Sequence, residues 1–170
     1  MTLSSVRDRD ADRRRGPQAR INDRTMKYDD ATWHSGGEFP QDLKPEAGGT
    51  HVGLFLAWAL LSGLAGALHL EEMTEELEEL RRREITPGAF FLRHCDGKLT
   101  DDDLSDEGNA FAQSYYGTSD APINYFADYG EALERDLPSL YHVPDTWDSF
   151  ERLKPILDQR LSEWRATQAT

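Results

Sequence analysis

The chain has 170 residues and a formal net charge of −13, which is distributed unevenly. Residues 1–25 carry seven Arg and four Asp, a net charge of +3, whereas residues 26–170 carry a net charge of −16. A body this acidic repels nucleic acid and anionic lipid head groups, so the charge argues against both as partners and favours a basic protein. The length suffices for one domain with its own core.

Residues 1–25 have almost no apolar periodicity and predict a disordered basic tail, and translation could begin at Met26 instead of Met1. Residues 26–170 are expected to form one acidic helical domain.

No apolar segment of the signal-peptide type follows the N-terminal charges. The single cysteine, Cys95, excludes an internal disulfide and is interpreted as a small buried residue. We therefore expect a cytoplasmic protein.

The first part of the acidic domain, residues 27–49, contains glycines and prolines between aromatic residues. This composition forbids a long helix and predicts an irregular lead-in segment. Three aromatic side chains are expected to pin the lead-in against the helical body: Tyr28, Trp33 and Phe39. Short strands could lie near 27–34 and 139–143, but the sequence predicts no strand firmly.

The stretch 52–68 contains no charged residue. Its length and its glycines favour a buried helix over about 51–62, although a membrane-associated protein using 52–68 remains an alternative. Thr50 is a candidate N-cap, and Gly63 and Gly66 are candidates for the C-cap or for close packing. A helix that is apolar on every face is buried on every face. The fold class is therefore mainly α, a single compact helical domain around this helix with an irregular Gly/Pro/aromatic lead-in.

Capping residues and apolar spacing predict five further helices. They are 71–84, a helix from Pro87 to Cys95, a helix that begins after Thr100 and ends near Gly117, 125–135, and 147–166. Asp145 or Thr146 can cap the last of these, and Pro155 is expected to kink it unless a new helix begins there.

No motif predicts catalysis or a cofactor. The run 96–107 places Lys98 and Asp101 where a calcium loop needs an oxygen ligand and a glycine, so a turn followed by a helix start explains it without metal. The chain has no phosphate loop and no nucleophile elbow. The histidines, which are His34, His51, His69, His94 and His142, do not have the spacing of a known metal motif. We predict no catalytic and no metal-binding residue from the spacing.

Acidic and aromatic residues are the candidates for a contact surface, because aromatic anchors ringed by charge are typical of protein interfaces. The predicted partner-binding residues are Asp101, Asp102, Asp103, Asp106, Glu107, Tyr141, His142 and Trp147.

Five runs of the sequence together resemble an uncharacterised family of small acidic bacterial proteins. They are YDDATWHSGGEFPQDL (28–43), GGTHVGLFLAW (48–58), RHCDGKLTDDDLSDEGNAFAQSYY (93–116), YFADY (125–129) and LPSLYHVPDTW (137–147). Such proteins are similar in size and charge to cytosolic immunity proteins encoded beside antibacterial toxins. The resemblance implies a non-enzymatic protein whose acidic face docks on a basic toxin domain. It supplies no catalytic residue.

Two function classes therefore remain open, in addition to the membrane-associated protein mentioned above. The first is the partner-binding, immunity-type protein. The second is a metal-dependent hydrolase that uses some of His34, His51, His94 and the aspartates. A regular spacing of carboxylates, which would favour mimicry of nucleic acid, is not present.

Overall fold

The computed structural model describes residues 25–117 and 120–169. The predicted tail, apart from Thr25, lies outside the described residues. The fold is mainly α, as the sequence predicts. The helices are α1 (Ala31–His34), α2 (Thr50–Leu61), α3 (Thr74–Arg81), α4 (Pro87–His94), α5 (Asp106–Tyr115), α6 (Tyr125–Tyr129) and α7 (Trp147–Gln168). Short helical turns at Pro45–Gly49, Leu68–Glu72, Asp101–Asp103, Gly130–Glu134 and Leu140–His142 connect or extend them.

Helix α2 is the centre of the core, and every one of its residues except Leu61 is buried. Helices α3, α4 and α7 pack around it. Phe55 and Trp58 lie in an aromatic cluster with side chains from α5 and α6. The predicted burial of this helix on all faces is confirmed. At its end, Gly63 adopts a φ of +82°, and Gly66 lies so close to the backbone of Asp102 that a side chain would clash there.

A two-stranded antiparallel sheet ties the lead-in to the body. Strand β1 (Lys27–Asp30) pairs with β2 (Lys98–Thr100), and Asp30 is opposite Lys98. Asp30 then caps α1 by accepting a hydrogen bond from the Thr32 amide. The sheet places the carboxylates at the end of β1 beside the body, and the aromatic rings of Tyr28 and Phe39 pack as expected. Trp33 is the exception, because it is 59% exposed.

Several local predictions are wrong in detail. Gly49, not Thr50, occupies the N-cap position of α2, because the preceding turn already supplies helical backbone there. Of the two places where the sequence allows a short strand, residues 27–34 contain β1, whereas residues 139–143 contain a helical turn. The second strand is β2, which the sequence does not predict.

The helix predicted after Thr100 is in fact two helical segments. Thr100 and Asp103 form a reciprocal capping box around a single turn, and α5 begins only at Asp106, with Ser105 as its cap.

Thr146 caps α7 as predicted, and Pro155 lies inside that helix without ending it. Among the described residues, no helix has the length and apolar character needed to cross a membrane.

Candidate metal centre

A cluster of polar side chains inside the domain consists of Asp29, His34 and His51. One ligand atom of each lies within 4.8 Å of the others. Asp29 is on β1, His34 ends α1, and His51 is in the first turn of α2. Their side chains are 5%, 19% and 0% exposed, so the cluster opens toward solvent only on the His34 side.

Local structure explains how the three residues meet. The strand β1 leads directly into α1, which turns His34 back toward Asp29. The turn Pro45–Gly49 then packs against α1 at Gly48, where a Cβ would be 3.4 Å from the Cβ of His34. Because this turn continues into α2, the close packing brings His51 to the same point.

Asp29 receives several hydrogen bonds. His34 Nε2 donates to its Oδ1 at 2.7 Å, the Asp30 amide donates to the same oxygen at 2.8 Å, and the Tyr116 hydroxyl donates to Oδ2. Burial by itself raises the pKa of Asp29, but His34, His51 and Tyr116 together outweigh it and hold the pKa well below the usual range. Asp29 is therefore anionic at neutral pH, as the ligand of a cation needs to be.

His51 differs from an ordinary buried histidine. Within the described part of the chain, neither ring nitrogen has a hydrogen-bond partner, and Nε2 lies 3.7 Å from Asp29 Oδ2. Burial lowers the pKa of His51, so the ring is neutral and carries a free lone pair. An unsatisfied buried polar group costs about 1–3 kcal/mol, and a bound ligand would recover that cost.

The spacing of the donor atoms is close to that of a metal centre. Two ligands at 2.1 Å from an ion in tetrahedral geometry are about 3.4 Å apart. In the structure His34 Nε2 lies 2.7 Å from Asp29 Oδ1, and His51 Nε2 lies 3.7 Å from the other oxygen, Oδ2. Two imidazoles and one carboxylate suit Zn²⁺, Fe²⁺ and related ions.

Residues around the cluster orient its ligands. The Tyr141 hydroxyl contacts His34 Nδ1 at 3.0 Å, so the opposite nitrogen of that ring points at Asp29. The rings of His34 and His51 meet edge to face, with centroids 4.4 Å apart. Such outer contacts hold metal-bound imidazoles in place. Tyr141 also lines a cavity of about 560 Å³ together with Thr50 and His142.

The predicted partner-binding residues fall into separate environments. Asp101, Asp102 and Asp106 line an open groove beside Glu72. Asp103 is buried and contacts His69 Nε2 at 2.8 Å. Glu107 forms two hydrogen bonds with Arg165.

The aromatic part of the predicted set lies elsewhere. Tyr141 and His142 line the cavity described above, which shares no residue with the acidic groove. The Trp147 indole donates to the Ile85 carbonyl at 3.1 Å, and its ring packs on Phe150. The structure thus does not bring these residues and the acidic groove into one site.

The spacing of the histidines does not predict the Asp29/His34/His51 cluster, although His34, His51 and the aspartates are candidates for a metal-dependent hydrolase. Its ligands come from three different elements, so no local spacing records it. One signal was available, since His51 is an imidazole at the start of a helix that is otherwise uncharged and buried. A buried imidazole in that position needs a partner.

Comparison with curated proteins and with solved structures gives no match. A family described as a domain of unknown function (DUF7832) matches residues 27–143, a range that contains Asp29, His34 and His51. Because this match covers more than half of the chain, the protein belongs to the DUF7832 family.

Proposed function

We propose that the protein binds one divalent transition-metal ion through Asp29, His34 and His51. The observation that carries this proposal is the neutral, fully buried His51, which faces a carboxylate without a hydrogen-bond partner among the described residues. A cation between the three side chains would satisfy His51 and neutralise Asp29. It would also replace the direct contact between His34 and Asp29 with two metal–ligand bonds.

The same arrangement suggests what the ion would do. Three protein ligands leave at least one coordination position for water, as in catalytic zinc sites. An ion in such a site lowers the pKa of its water to about 7 and polarises carbonyl or phosphoryl oxygens. This supports the metal-dependent hydrolase among the functions that the sequence left open.

The test is metal binding by the full chain after treatment with a chelator. Zn²⁺ is added, and its stoichiometry and dissociation constant are measured by calorimetry and elemental analysis. His51→Phe keeps a ring of similar size in the core, and Asp29→Asn keeps the shape of the carboxylate. Both should lose one bound ion, because each removes a ligand.

His142→Phe is the matched control, since that ring contacts Asp42 and Ser139 and is not a member of the cluster. It should bind Zn²⁺ as the parent chain does. Circular dichroism verifies that each variant is folded. Failure of the parent chain to bind Zn²⁺, or an unchanged stoichiometry in both ligand variants, would contradict the proposal.

Docking of the acidic surface on a basic partner, of the immunity type, is a second proposal. Its support is the groove where Asp101, Asp102 and Asp106 lie together on one side of the domain. Opposite charges would accelerate association with a basic protein and select among partners. The interaction would not depend on Asp103, which is buried.

A capture experiment with matched variants tests this second proposal. The full chain is used to recover proteins from its host's lysate, beside a variant with Asp102→Lys and Asp106→Lys. A control with Glu131→Lys and Glu134→Lys has the same net charge change away from the groove. A basic protein recovered by the parent and the control but not by the groove variant supports docking. Equal recovery by all three chains argues against it.

A further inference from the structure

A second cluster of ligating side chains lies outside the site described above. It consists of His69, Cys95 and Asp103, and one ligand atom of each lies within 4.8 Å of the others. His69 is in the turn Leu68–Glu72, Cys95 follows α4 directly, and Asp103 ends the turn Asp101–Asp103. Three separate segments of the chain therefore converge on one point.

The carboxylate of Asp103 is held in a fixed orientation. Its Oδ2 accepts hydrogen bonds from the Thr100 amide at 2.8 Å and the Thr100 hydroxyl at 3.1 Å. Its Oδ1 lies 2.8 Å from His69 Nε2. His69 is 0% exposed and Asp103 is 3% exposed, so water reaches neither of them readily.

His69 supplies an independent observation. Its buried Nδ1 has no hydrogen-bond partner in the parts of the chain that the structure describes. This nitrogen can therefore hold the ring proton when Nε2, which lies against Asp103, presents its lone pair to an ion. The nearby Cys95 thiol keeps its proton, because burial first and the Asp103 carboxylate second raise its pKa. An ion beside Nε2 would accept the lone pair of that nitrogen and would stabilise the Cys95 thiolate.

We propose that His69, Cys95 and Asp103 form a second cation site, with a preference for thiophilic divalent ions of the Zn²⁺ class. A thiolate and a carboxylate supply two negative charges, which a divalent ion neutralises. The sulfur ligand selects Zn²⁺, Co²⁺ or Cd²⁺ over Mg²⁺ and Ca²⁺. An ion there would cross-link three segments of the chain, so its role is structural, in contrast to the first site.

The sulfur ligand gives a spectroscopic signal that an ion at the first site, which has no sulfur ligand, does not produce. Co²⁺ bound to a thiolate absorbs in the near ultraviolet, and Cys95 is the only cysteine of the chain. The full chain is stripped with a chelator and titrated with Co²⁺. We expect this absorption in the parent chain and in Asp29→Asn, which lacks a ligand of the first site. We expect Cys95→Ser to lose it while it still binds an ion at the first site.

Alkylation of the thiol is a second measurement on the unmodified protein. Zn²⁺ at about ten times its dissociation constant should slow the reaction of Cys95 with iodoacetamide by about tenfold, because only the metal-free fraction reacts. A chelator should restore the rate. Absence of the thiolate absorption, together with an alkylation rate that Zn²⁺ leaves unchanged, would overturn the second site and leave the first untouched.

Discussion

Gly53 of α2 and Gly88 of α4 pack against each other so closely that a Cβ on Gly53 would be 2.6 Å from the Gly88 Cα. It would also be 2.6 Å from the Pro87 carbonyl oxygen. Both contacts are with backbone atoms, which cannot move aside as a side chain can. This close approach sets the distance between α2, which carries His51, and α4, which leads to Cys95.

We predict that Gly53→Ala destabilises the protein by about 2 kcal/mol, because overpacking of a close contact costs about 1–3 kcal/mol. This loss exceeds the gain of up to about 1 kcal/mol from the better helix propensity of alanine. Urea denaturation measures the free energy of unfolding. Gly36→Ala is the control, since a Cβ there meets no atom within 4 Å. A Gly53→Ala variant as stable as the parent would show that the helices can separate without cost.

A buried ion pair connects α6 and α7. Arg160 donates to both oxygens of Asp128, at 2.8 and 3.0 Å, and the Tyr115 hydroxyl donates to the same carboxylate at 2.7 Å. We predict that Arg160→Met lowers the free energy of unfolding by about 3 kcal/mol, because it leaves a largely buried carboxylate without its cation.

The control for this pair is Arg135→Met, whose contact with Glu131 is 4.0 Å long and exposed. Removing that pair should change stability by less than about 0.5 kcal/mol. Thermal or urea unfolding compares the two variants. If both variants lose the same small amount, the Arg160–Asp128 pair contributes no more than a surface contact.

Tyr141 is predicted to position His34 for metal binding. Tyr141→Phe keeps the ring against Phe39 but removes the hydroxyl that contacts His34 Nδ1. We expect Zn²⁺ to bind about tenfold more weakly, as is usual when an outer-shell partner is lost. The fold should be unchanged in circular dichroism.

Tyr129→Phe is the control for Tyr141, since its ring also faces His51 while its hydroxyl contacts the Leu140 carbonyl. Calorimetry should give the parent affinity for this variant. An unaltered affinity in Tyr141→Phe would show that the Tyr141 hydroxyl has no effect on the ligand.

The pH dependence of stability should report on His51. Burial first, and the neighbouring His34 to a smaller extent, lower its pKa, while Asp29 opposes the shift. The unfolded chain therefore binds a proton that the folded chain excludes. The free energy of unfolding is expected to fall as the pH drops below about 6.5, by up to about 1.4 kcal/mol per pH unit.

Urea denaturation of the chelator-treated protein between pH 5 and pH 8 checks this dependence. His51→Phe should reduce the slope by the contribution of one proton. The depressed pKa of Asp29 acts in a lower range, because its stabilisation is present above the unfolded pKa of about 3.9 and is lost as the pH falls further. A slope between pH 5 and pH 7 that His51→Phe leaves unchanged would show that His51 is not held neutral by burial.

Local rules predicted most helices of this chain, because caps, prolines and apolar spacing act within a few residues. The errors occur where partners distant in sequence decide the outcome. The segment after Thr100 is a single turn followed by α5, since Asp103 is held by His69 as well as by Thr100. Strand β2 has only three residues and exists through its pairing with β1.

The amino-acid pattern alone accounts for the buried helix α2 and the acidic exterior. A continuous uncharged stretch is buried away from water, whereas residues of dense like charge stay at the solvent-exposed surface. The pattern does not account for the meeting of Asp29, His34 and His51. These three residues come together because the lead-in folds back at Gly48 and because β1 pairs with β2. These are contacts between segments, so only the packed structure places two imidazoles and a carboxylate around one point.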